Sequence, residues 1–97
     1  MAVYKYDDDF IVSRAKEGEI DELETFYLQI AQNLQLQDPY LGEWVKAMVY
    51  IELCRRNIEA DGFANKMKAY QEKANWAVSM SQNQTSGAFG TIAVERG

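Results

Sequence analysis

The most constraining stretch of this sequence is the run from Trp44 to Cys54, WVKAMVYIELC, which is apolar nearly all the way round a helical wheel. Trp44, Met48 and Ile51 share one face with Arg55; Val45 and Val49 lie close to another with Glu52; Ala47, Tyr50, Ile51, Cys54 and Ile58 cover a third. A helix that is greasy on every side has no face to give to water, so it must be central, either within its own fold or between chains. Asp38-Pro39 supplies a start signal and Asp61-Gly62 a break, which predicts a helix over about 39–58.

The segments around it read as helices with one buried face. Leu23, Phe26, Tyr27, Ile30, Ala31 and Leu34 fall at helical spacing, and Asp21 with Glu24 has the form of a capping box. Over about 62–80, Phe63, Met67, Tyr70, Ala74, Ala77 and Val78 make an amphipathic stripe, with Trp76 and Met80 off it. Asp7, Asp8 and Asp9 precede Phe10 and Ile11, the pattern of a cap and first turn, so a short helix over roughly 8–17 is expected, stopped by Gly18. Ala2 to Tyr6 suits a short edge strand or an ordered arm. Ser81 to Gly90 is polar and Gly-rich, and Thr91 to Val94 has β character. The expectation is therefore an all-α bundle of three to four helices over 1–80, with an N-terminal arm over 1–7 and an extended C-terminal tail over 81–97, able to dock on a partner by adding a strand.

The chain is one domain's worth at 97 residues, with a correspondingly thin core. Aromatics make up 12% of it, more rings than such a core hides easily, which places some of them at an interface. The net charge is −5, from 15 acids against 10 bases, and the single adjacent basic pair is Arg55-Arg56. That balance argues against tight nucleic-acid binding and against anchoring on anionic membranes. The longest apolar run, Ala47 to Ile51, is too short to span a bilayer, and three acids stand where a signal peptide would turn apolar, so an intracellular product is expected. The lone Cys54 reads as a small buried hydrophobe.

Chemistry has few routes here. There is no histidine, which removes the commonest general base, the commonest metal ligand and every His-based triad. One cysteine cannot build a thiolate zinc site, and the scattered glycines form neither a P-loop nor a dinucleotide fingerprint. The Asp7–Asp9 cluster lacks the alternating ligands and closing Glu of a calcium loop. No catalytic residue, cofactor site or metal site is assigned, and the chain is read as a non-enzyme. Two readings stand for Arg55-Arg56: solvated cations at a helix C-terminus, or partners for acids of a neighbouring subunit. Trp44 is open between core residue and interface anchor.

The order of elements resembles one family. The helix Trp44 to Asn57, with Ala47, Tyr50, Arg55 and Arg56, the acidic turn at Glu59, Asp61 and Gly62, the helix Phe63 to Met80, with Tyr70, Trp76 and Ala77, and the Gly-rich polar tail are similar to the head–tail connector, or adaptor, proteins of tailed bacteriophages. The start MAVYKYDDDF departs from the family's usual one, and its Trp-Leu ending is absent. The resemblance implies a virion structural protein, present in the host cytoplasm during assembly. It implies a homo-oligomeric ring, usually of twelve copies, that meets a portal protein and a tail-completion protein and lets DNA pass without specific binding. The interface residues expected are Trp44, Met48, Tyr50, Arg55, Arg56 and Trp76, with Phe89, Ile92 and Val94 in a docking tail. The rival reading is a small acidic interaction or inhibitor module that binds a protein partner.

Overall fold

The computed structural model describes the backbone of residues 2–95 and the side chains of residues 2–83. Four helices follow in order: α1 (Asp9–Val12), α2 (Glu19–Asn33), α3 (Tyr40–Arg56) and α4 (Phe63–Glu95). Among the described residues there is no strand, and the fold is the expected small all-α bundle.

α3 is the centre. Trp44, Val45, Ala47, Val49, Tyr50, Ile51, Leu53 and Cys54 are all buried within the single chain. α2 packs on the side of Trp44, where Tyr27 meets the indole edge-on, and of Glu52 and Arg56. α4 packs on the side of Glu43, Ala47 and Tyr50, where Tyr70 stacks on Tyr50 with centroids 4.5 Å apart. At 100° per residue these two sides of α3 lie roughly 150° apart, so α2 and α4 sandwich it and leave little of it to solvent. This corrects the expectation that α3 exposes more apolar surface than one chain can hide. The all-round pattern did mark a central helix, but its cover is intramolecular.

The start of the chain is an ordered arm, not a strand. Tyr4 lies over Gly42, where a Cβ would stand 2.8 Å from the ring, so α3 needs glycine there to let the arm approach.

Three boundaries differ from the sequence reading. α1 is a single turn, because the segment that follows it breaks into turns around Ser13 and Arg14. Gly18 opens α2 instead of closing α1: it holds φ +80°, and Glu19 follows it directly into the helix. The helix expected to end near 80 runs on to Glu95, in place of the extended tail. Extending an existing helix carries no nucleation cost, and the segment contains two glycines but no proline to stop it. Within it Ser81 is buried, and its hydroxyl accepts a hydrogen bond from the Gln37 N–H at 2.7 Å, tying α4 to the α2–α3 loop.

Candidate assembly surfaces

Two carboxylates lock the interior. Glu24, buried on α2, accepts from the Val3 N–H (2.6 Å), the Tyr4 N–H (3.1 Å) and the Tyr6 hydroxyl (2.9 Å). It holds the arm in place of the capping box expected with Asp21. Burial and then this hydrogen bond push the Tyr6 phenol well above its ordinary pKa.

Asp8 is the second lock. It caps α1 by accepting from the Ile11 N–H, as the acidic cluster predicted, and it reaches further. Its carboxylate accepts from Lys66 Nζ at 2.9 Å and from the Tyr70 hydroxyl at 2.6 Å, both on α4, while its own N–H donates to the Tyr50 hydroxyl at 3.1 Å. Burial acts to raise the Asp8 pKa, but the hydrogen bonds from Tyr70, Lys66 and Ile11 outweigh it and hold the carboxyl below the ordinary range. Burial and the Asp8 carboxylate raise the Tyr70 phenol. Cys54 lies fully buried beneath this cluster, and burial pushes its thiol up to about 11.

Outside this closed interior two flanks stand in water. The first is on α2. Phe26 is 57% exposed at the rim of a groove of about 380 Å³ whose walls include Glu19, Glu22, Tyr27, Glu52 and Arg56. Arg56 pairs there with both Glu19 and Glu52, and Arg55 donates to Glu52 at 2.5 Å. Although burial acts to raise Glu19, the Lys16 N–H and Arg56 lower it.

The second flank is on α4. Trp76 is 46% exposed; Tyr40 meets it edge-on, with centroids 5.5 Å apart, and a shallow depression runs from it past Lys73 and Glu72 to Ala69. Nearby, Lys46 and Lys73 share the Glu43 carboxylate, at 3.5 and 3.1 Å. Lys5, from the arm, lines the cleft that they border, which also reaches Tyr50 and Tyr70.

The expected interface residues therefore separate. Trp76 is on the surface. Met48 is half-buried against the core, and Trp44 and Tyr50 are core residues of one chain, which corrects their assignment to an interface. Arg55 and Arg56 are exposed but satisfied by acids of their own chain, so pairing across subunits is not needed to account for them. Phe89, Ile92 and Val94 lie outside the described side chains. The sequence reading missed Phe26 and Leu34, which it placed on the buried face of α2 and which are 57% and 55% exposed. On a wheel Phe26 sits about 100° from Tyr27, on the shoulder of the stripe, a signal that spacing alone did contain. Leu34 is the C-cap of α2, and the chain returns to the core at Leu36, which is buried.

Among the described residues no group of three His, Cys, Asp or Glu side chains is placed to hold a metal ion, and no helix is long and apolar enough to cross a membrane. No protein-family model, curated protein or solved structure matches the chain.

Proposed function

We propose that the chain is a structural subunit that works by assembling. In this reading it is a head–tail adaptor of the kind its helix order resembles, forming a homo-oligomeric ring that joins portal to tail and lengthens the DNA channel. The observation that carries this reading is the contrast between a tightly locked interior and three large aromatic side chains left half-exposed on its surface, Phe10 at 46%, Phe26 at 57% and Trp76 at 46%. Aromatic rings are over-represented among the anchors that subunit contacts cover. The apolar faces of α3 lend it no support, since that helix is covered within one chain. The net charge of −5 fits a wall along which DNA slides, because like charge keeps phosphates off the surface.

The deciding experiment measures mass in solution by light scattering, for the chain alone and co-expressed with a portal protein. A ring-sized species, alone or on the portal, is the expected result. A monodisperse species of 11.1 kDa at high concentration with portal present overturns the proposal.

A further inference from the structure

The N-terminal arm lies on the molecule as a separate piece. Along it the side chains alternate: Tyr4 and Tyr6 are half-buried, while Val3, Lys5 and Asp7 are exposed, Val3 by 76%. That alternation is an extended segment laid on a surface. Its inner side meets a seat built from α2 and α3. Glu24 takes the successive amides of Val3 and Tyr4 on separate oxygens, and the Tyr6 hydroxyl on the second of them. Gly42 makes room for the Tyr4 ring, and Tyr50 meets the Tyr6 ring edge-on, with centroids 5.6 Å apart. These contacts reach α2 and α3, not the residues that join the arm to α1, so the seat recognises the arm by its own sequence. Asp8, where the arm ends, is pinned separately by Lys66 and Tyr70, which lets residues 2–6 swing about Asp7 with α1 in place. Nor does the seat tolerate a vacancy well. Glu24 is 3% exposed, and a buried carboxylate stripped of its donors is strongly unfavourable.

We infer that the arm is exchanged between copies: residues 2–6 of one chain dock in the Glu24–Gly42 seat of a second copy of this chain when the two are held close. The copies are identical, so the exchanged arm makes the bonds it makes at home, and the occupant's fit to the seat is the fit already described. Concentration sets the balance. A short tether gives the chain's own arm an effective concentration of order 1 mM, so dilute chains stay closed, and neighbours fixed side by side exchange. Passed in one direction from copy to copy, the arms link a ring. The inference rests on the ring reading only for what holds the copies together.

The test separates arm from seat in two full-length variants, each checked for folding by circular dichroism. Tyr4→Pro with Tyr6→Ser removes an amide donor, a ring and the phenol, which leaves a sound seat without its arm. Glu24→Gln sets a donor nitrogen against donors that already point there, which leaves a sound arm without its seat. Gly42→Ala, which crowds the Tyr4 ring, takes its place if Glu24→Gln does not fold. The seat variant is isotope-labelled and the unlabelled arm variant is titrated into it. The Val3 and Tyr4 amide resonances of the labelled chain are expected to shift to the positions they hold in the wild type. Resonances that stay at their free positions up to about 1 mM of added chain overturn the inference. So does an equal shift when the added chain also carries Glu24→Gln, because the arm is then not in this seat. Rings on a portal without the shift leave the ring reading standing and remove arm exchange. The shift without rings on a portal does the reverse.

Discussion

Asp8 sets three parts of the chain against one another with one side chain. It stops the frayed end of α1, takes the α4 ammonium of Lys66 and orients the Tyr70 hydroxyl. Its folded pKa is depressed, so its contribution is present above the unfolded value, near 4, and is lost as pH falls through the folded one. Burial acts to raise Glu19 and Glu43 too, but Lys16 and Arg56 lower the first and Lys73 and Lys46 the second, so acid loosens all three connections together. Asp8→Asn is expected to cost roughly 1–3 kcal/mol at pH 7 and to remove part of the acid dependence. Urea denaturation at pH 7 and pH 3 checks this; a variant that loses as much stability on acidification as the wild type rules Asp8 out as a contributor. The capping role was legible in the sequence because a cap acts over three residues. The reach to Lys66 and Tyr70 was not, since nothing in the run DDDF says which distant cations the fold brings back to it. Glu24 makes the same point: its local spacing suggested a box with Asp21, and long-range geometry gave it to the arm.

At the scale of elements, the arm and α3 are fitted through a single missing methyl group. A glycine in a helix interior ordinarily costs about 1 kcal/mol against alanine, and even in the first turn, where Gly42 stands, alanine would be the better helix former if the position were open. Here the new Cβ would stand 2.8 Å from the Tyr4 ring and displace it. The expected outcome is an intact α3 with the arm lifted, a net loss of about 1 kcal/mol, and faster hydrogen exchange at the Val3 and Tyr4 amides that Glu24 now holds. A variant more stable than the wild type with unchanged exchange would show that the arm contributes little. The helices themselves were readable where apolar periodicity ran long, as in the Phe63, Met67, Tyr70, Ala74, Ala77 stripe of α4. Their ends were harder. Gly18 fits either a helix stop or a helix start until its neighbours' hydrogen bonds are known, and Ser81 looks like the first residue of a polar tail until Gln37 arrives to use its hydroxyl.

For the whole molecule, the all-round apolar character of α3 was a sound guide to position and a poor guide to what covers it. Seventeen helical residues sandwiched between α2 and α4, with Tyr4 and Tyr6 closing the remaining side, absorb the surplus that composition assigned to partners. What remains for assembly is on the flanks, where periodicity says little because a single exposed ring breaks no pattern. This division yields a last expectation. A chain ending at Asn83 keeps the core formed by α2, α3 and about the first five turns of α4, together with the tie from Ser81 to Gln37. It should still unfold cooperatively in urea, because that core is retained. Because Phe10, Phe26 and Trp76 are all retained, it should also self-associate with the same concentration dependence, read by light scattering. Loss of assembly with stability intact would move the contact to the removed segment, where Phe89, Ile92 and Val94 lie, and would revive the docking role that the sequence suggested for them.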